Sequence, residues 1–297
     1  MEKFYKKISY YLSLPAVILF VLVIFVPFVM GILYSFTAWR GAYFVGGDMW
    51  HAFNGLTNYK KVFASTRFFE AFWYTIRFTV LAVVFIAIVG LALAMLTTSI
   101  SKMSGLFRTM FFMPNLLGGL ALGYIWKFIF EIIFSSNLFG PEGLIPIPAL
   151  TYMTQNNIKA IFALMMLTSW QWAGYMMLIY VNGLITIPKD LYESAEIDGA
   201  NAVQRFRHIT LPMLMPSFTI VLFLLLGNCF KLLDQNVALT DGDFSTRLLA
   251  LQILRTIRDS APPDYGFAQA QAVVFFIMVA VVSLLQVRFT KSREVEA

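Results

Sequence analysis

The chain has 297 residues, of which 59% are hydrophobic and 13% charged, and a formal net charge of +6. A soluble fold of this length could not hide so much apolar surface, so lipid is the solvent for most of the chain. The positive charge then belongs to loops and tails beside anionic head groups and not to a nucleic-acid site. A single cysteine, Cys229, excludes an intramolecular disulfide and, lying in an apolar run, reads as a small packing residue.

Charge-free intervals set the organisation. A Lys, Arg or Asp at a helix centre costs about 2.5–3.5 kcal/mol on insertion scales, against a gain of about 0.3–0.6 for each Leu, Ile, Phe or Val. The expected fold class is therefore an all-α membrane protein of six transmembrane helices, near 12–36, 73–98, 108–128, 160–185, 211–231 and 267–288. Six spans put both termini on one side. With no internal repeat or soluble insert, residues 1–297 read as a single transmembrane domain.

Lys3, Lys6 and Lys7 precede the first apolar run. The run is too long for a signal-peptide core and no small-x-small site follows it, so it reads as a retained span with a kink at Pro27. Beyond Trp39 comes an exterior segment with Gly41, Gly46, Gly47 and Gly55. The aromatic and charged stretch from Asn58 to Glu70 then suggests a helix along the membrane interface. The second span closes at a short turn, Ser99–Gly105. Arg108 opens the third, whose Pro114, Gly118, Gly119 and Gly123 are expected to serve close helix packing. Ser135–Lys159, rich in Pro and Gly, reads as an exterior loop. The fifth span should end near Lys231, with a polar exterior stretch through Asp241-Gly242-Asp243 and Pro262-Pro263 before the sixth.

Between spans four and five lies the longest charge-rich segment, 189–212. Pro188 suits a helix start, Lys189–Asp198 a short helix, and Gly199 its stop. Asn201 can cap a second short helix that re-enters lipid at Leu211-Pro212. Such an elbow at a membrane face is a docking surface for a soluble partner.

Two polar stripes mark where a solute could pass. Thr168, Gln171, Trp172 and Tyr175 fall at i, i+3, i+4 and i+7 of the fourth span. Asn228, Lys231, Leu232 and Gln235 repeat that spacing where the fifth should end. Burying an unpaired amide costs roughly 1–3 kcal/mol, so Gln171 and Asn228 should face a polar cavity or a neighbouring helix. Aromatic platforms with amide donors suit a neutral sugar; bonding between helices accounts for any single residue equally well. Trp126, Trp170 and Trp172 also suit interfacial anchoring. There is no Gly-x-x-x-x-Gly-Lys-Ser/Thr phosphate loop, no His-Glu-x-x-His, no Cys–His cluster and no carboxylate at a span centre.

Glu193-Ser194-Ala195, three residues ending in Asp198, Gly199, nine residues, then Ile209-x-Leu211-Pro212, resembles the signature loop of permease subunits of binding-protein-dependent ABC importers. That loop reads Glu-Ala-Ala, three residues, Gly, nine residues, Ile-x-Leu-Pro; Ser194 replaces its first alanine. Further matches run along nearly the whole chain: Gly55-Leu-x-Asn58-Tyr59, Arg108-x-x-x-Phe-Phe-x-Pro114, Asn182-Gly-Leu-x-x-Ile-Pro188, Phe230-x-x-x-Asp234 and Leu239-Thr240-x-Gly242. The type is similar to maltose and glycerol-phosphate permeases, as the first permease of a pair.

The resemblance implies a sugar-importing subunit of a bacterial-type cell membrane with both termini cytoplasmic. It implies as partners a homologous second permease, an ATPase dimer and an extracellular sugar-binding protein. This chain itself is then no enzyme and carries no cofactor or metal, ATP and Mg sitting on the ATPases. The loop at Glu193, Ala195, Asp198, Gly199, Ile209, Leu211 and Pro212 would contact the ATPase. The sugar path would run past Thr168, Gln171, Trp172, Tyr175, Asn228, Cys229 and Leu232. With the signature loop inside, the 22 Lys and Arg divide evenly between the two sides, but the inner segments are less than half as long, as the positive-inside rule expects. Import of a peptide or another small polar solute stays open, as, more distantly, does an ion-coupled carrier.

Overall fold

The computed structural model describes residues 12–99 and 103–293; Lys3, Lys6, Lys7 and Lys102 lie outside them. Among the described residues the chain is helical, with only two isolated bridges, Thr37–Phe53 and Trp39–Phe44. In chain order the helices are α1 Leu12–Ser35, α2 Thr57–Ala64, α3 Thr66–Ser99, α4 Ser104–Phe112 and α5 Gly119–Leu138. They continue with α6 Asn157–Thr186, α7 Lys189–Ile197, α8 Ala202–Met213 and α9 Met215–Phe230. The last are α10 Asp234–Leu239, α11 Leu249–Arg258 and α12 Tyr265–Lys291.

Four helices, α1, α3, α5 and α12, are long and apolar enough to cross a membrane, and α8 with α9 makes a fifth candidate bent by 66°. Helix α6 is long enough at 30 residues but is not among them. Its polar positions dilute its apolar character, and half of its residues are buried by protein. It is a core helix covered along one side by its neighbours, with Phe162 and Trp170 left exposed.

The boundaries differ from the charge-free intervals in three places. The third segment is broken: α4 tightens into a 3-10 turn at Met113–Leu116, where Pro114 is buried, before α5 begins. Helix α5 then runs on to Leu138, into the stretch expected to be loop. Its last ten residues are a π-helix, and Ser135 Oγ donates to the Phe130 carbonyl five residues back while accepting the Tyr152 N–H. The polar stretch after Lys231 also folds into helices, α10 and α11. Elsewhere π-turns at Val21–Phe25 and Phe206–Thr210 sit just before Pro27 and Pro212. A proline ring crowds the carbonyl four residues back, and a widened turn relieves that clash.

The helices fall into two compact units. The first joins residues up to Phe68 with Gln252–Ile277. Its centre is Asn58, 1% exposed, whose Nδ2 donates to the Ser35 and Thr37 carbonyls at the open end of α1. The Tyr59 hydroxyl bonds Ser35 Oγ at 2.7 Å. Asn58 thus satisfies backbone acceptors that a helix end leaves orphaned, while Tyr59 holds the Ser35 side chain beside them. Asp264 caps α12 through the Phe267 N–H and pairs with Arg40 at 3.2 Å.

The second unit joins Phe69–Leu251 with the residues from Met278 onward. Glycines set its closest crossings. A Cβ on Gly174 of α6 would stand 1.9 Å from the Phe111 carbonyl oxygen, so the broken third segment lies backbone to backbone against α6. A Cβ on Gly119 or Gly123 of α5 would meet Gln235 at 2.9 Å or Ala238 at 2.5 Å. That small-xxx-small edge seats α10. Asn236, fully buried, accepts the Leu248 N–H and donates to the Thr246 carbonyl and Thr240 Oγ1. This network holds a turn in which Asp241, Phe244 and Ser245 take positive φ.

Candidate coupling elbow and solute path

Between α7 and α8 the chain makes a tight elbow. Helix α7 starts after Pro188, whose fixed φ prepares the turn, and carries Asp190 in its first turn. It ends at Asp198, and Gly199 takes φ +76° with open space where a Cβ would be. Asn201 then opens α8 with a capping box: its Oδ1 accepts the Gln204 N–H at 2.9 Å and its own N–H donates to Gln204 Oε1 at 2.8 Å. Two contacts lock the arms together, Tyr192 OH to Thr210 Oγ1 at 2.9 Å and Arg205 to Glu196 at 3.4 Å.

The elbow offers a concave surface of about 380 Å³ lined by Ala195, Asp198, Gly199, Gln204, Arg205 and Ile209, among others. Ile197 and Val203 flank it, 87% and 74% exposed. Glu193 is exposed and Leu211 and Pro212 are half-buried where α8 approaches its bend. Ile197 and Val203 are the two large apolar side chains that the elbow leaves most open to its surroundings. The spacing of the signature residues gave the elbow; these two flanking anchors were missed. Their sequence signal was present, each being an apolar residue two to four positions from a helix-stopping glycine.

The stripe on α6 is brought together, but it faces protein. Thr168 is fully buried and spends its hydroxyl on the Leu164 carbonyl. Gln171, 6% exposed, donates to the Leu117 carbonyl at 3.3 Å and accepts from Gln235 Nε2 at 2.8 Å. Trp172 is buried in the cluster that also holds Cys229 and Leu232. Tyr175 is half-buried with its edge toward Phe112.

The second stripe is not one helical face. Helix α9 ends at Phe230, Lys231–Leu233 break the helix, and Gln235 belongs to α10. Gln235 therefore reaches Gln171 from a separate element. Asn228 remains half-buried beside Gly227, where a Cβ would meet nothing within 4 Å. Apart from Lys231, which is exposed at the end of α9, the polar groups of this set are neutral amides and hydroxyls, suited to exchanging hydrogen bonds. Among the described residues no cluster of His, Cys, Asp and Glu could hold a metal.

Residues 90–294 match the family model described as binding-protein-dependent transport system inner membrane component. The chain belongs to this family. As an inner membrane component with several apolar helices, it is a multi-pass membrane protein. A probable starch degradation products transport system permease protein of Thermoanaerobacterium thermosulfurigenes is 39% identical over 99% of this chain and 98% of its own length. A multiple sugar-binding transport system permease protein of Streptococcus mutans is 30% identical over 94% and 93%. In structure the component is similar to a chain of a bacterial ABC transporter involved in import of the acidic polysaccharide alginate, with a TM-score of 0.75, 21% identity and coverage of 98% and 99%.

Proposed function

We propose that the chain is the first permease of an ATP-driven importer that moves a sugar, as mono- or oligosaccharide, into the cell. The observation that carries this reading is the elbow: a signature loop folded around Gly199, internally bonded, with Ile197 and Val203 held out of it for a partner. Sugar as the cargo is supported by the starch-product and multiple-sugar permeases that the chain resembles along nearly its whole length.

In this reading residues 1–297 form one transmembrane domain of six spans, with α6 as the partly protein-covered fourth and bent α8–α9 entering as the fifth. Both termini and the elbow face the cytoplasm. A homologous second permease completes the bundle, an ATPase dimer carrying ATP and Mg docks on the two elbows, and an extracellular binding protein delivers the sugar. Nucleotide binds one state of the ATPases more tightly than the other, and the elbow passes that difference to α9. On the solute path, Gln171 and Gln235 hold each other when the path is closed. Opening frees both amides for sugar hydroxyls, with Trp172 and Tyr175 as ring platforms and Asn228 as a further donor. Thr168, Cys229 and Leu232 back this wall from within the core.

Co-purification from the native membrane tests the assembly. Recovery of an ATPase and a second permease, with ATP-dependent sugar uptake after reconstitution, is the expected result. A chain that purifies alone and moves solute in ATP-free vesicles would overturn it.

A further inference from the structure

The second unit contains an apolar cavity of about 390 Å³ among α3, α4, α5 and α6, away from the Gln171–Gln235 pair. Phe85, Val89, Met110, Phe111, Trp126 and Trp170 form half of its wall. Phe85, Met110, Phe111 and Trp170 are themselves exposed, so the cavity opens to the surroundings of the helices. In a multi-pass membrane protein an opening lined by such apolar side chains suits hydrocarbon.

A charge lies one helical turn before that lining. Arg108 lies on α4 three residues before Phe111, on the same face. It is half-buried, its Nε is buried with no hydrogen-bond partner, and it forms no ion pair among the described residues. A guanidinium left unpaired beside hydrocarbon is expensive. Helical side chains lean toward the N-terminus of their helix, so Arg108 reaches toward the Ser104 end of α4. The apolar wall begins about 3–5 Å further along the axis, at Met110 and Phe111. A cation one turn from an apolar slot matches the two parts of one lipid.

We propose that this cavity seats an acyl chain of an anionic phospholipid whose head-group phosphate sits on Arg108. The proposal rests on membrane location alone and stands apart from the import reading.

Bromine-labelled lipids test it through Trp126 and Trp170, which line the slot. The full chain is reconstituted in phosphatidylcholine nanodiscs containing a minor fraction of either phosphatidylglycerol or phosphatidylcholine brominated on the acyl chain. Quenching is assigned by comparison with the Trp126→Phe/Trp170→Phe double variant. Brominated phosphatidylglycerol is expected to quench in preference, by about fivefold in occupancy, the partition one basic residue gives toward anionic lipid. Arg108→Gln should remove the preference while leaving quenching by brominated phosphatidylcholine in place, which also reports that the variant is folded, and Arg108→Lys should keep it. Equal quenching by both lipids in the parent protein, or a preference that survives Arg108→Gln, overturns the proposal. Absence of quenching by either lipid also overturns it, since the slot is then closed by protein.

Discussion

Gly199 and Asn236 show how differently single residues act in this chain. At Gly199 the requirement is conformational: φ is +76° and the space beyond is open, so a side chain meets no clash but must hold a left-handed backbone at about 1–2 kcal/mol. Gly199→Val is expected to leave insertion and yield unchanged and to abolish ATP-dependent uptake, measured on membranes with matched protein levels. Uptake at the parent rate would remove the elbow from coupling. At Asn236 the requirement is hydrogen bonding. Asn236→Ala strands the Leu248 N–H and the Thr246 carbonyl in a buried site and should lower unfolding stability by about 1–3 kcal/mol, read as a lower melting temperature in detergent. On the solute path, Gln171→Ala and Trp172→Ala should weaken sugar affinity more than they change expression. Unchanged affinity and rate for every sugar tried would return both residues to packing.

Between elements, the glycines are the joints. Gly174→Val places carbon where the Phe111 carbonyl stands and should force α6 away from the broken third segment, at about 1–3 kcal/mol for overpacking. Loss of monodisperse protein in size-exclusion chromatography, with Ser169→Ala as the benign neighbour, checks it. What the sequence disclosed at this scale followed from physics that is local. Charges bounded the helices, and the Pro188, Gly199 and Asn201 sequence spelled out the elbow with its stop and cap. The end of the fifth span near Lys231 was legible from its charge; that Lys231–Leu233 break the helix and put Gln235 on a separate element was not, because the i, i+3, i+4, i+7 spacing runs straight through. Nor was the partner of Gln171: spacing puts an amide on a face but cannot say that Gln235, 64 residues on, will meet it from another helix. Helix α6 was legible as helical by its period. Its core position showed only in the polar residues that lower its hydropathy, a signal that charge-free intervals ignore.

For the whole molecule the distribution of exposure is the informative quantity. The apolar window of α1 is wholly unburied by the rest of the chain, whereas 39% of that of α3 is covered. Before it packs on α12 near Phe28 and ends at buried Ser35, a helix so exposed meets lipid or another protein. If the bundle is completed by a homologous second permease, cysteine cross-links from α1 to that subunit should form in the assembled transporter and vanish when this chain is expressed alone. Cross-links to lipid-facing probes only, in the assembled state, would place α1 at the periphery.

The bend at Leu214 has a mechanical consequence. Helix α8 is a rod of twelve residues, about 18 Å at the usual rise per residue, joined at one end to α9 through a 66° corner and at the other to the elbow. As a lever pivoting on that corner, a tilt of about 10° carries the elbow through about 3 Å, close to the width of one side chain. Tyr192–Thr210 and Arg205–Glu196 join the two short arms, so they are positioned to move together. In the importer reading proposed above, force applied at Ile197 and Val203 would then act as torque on α9, the helix that carries Asn228.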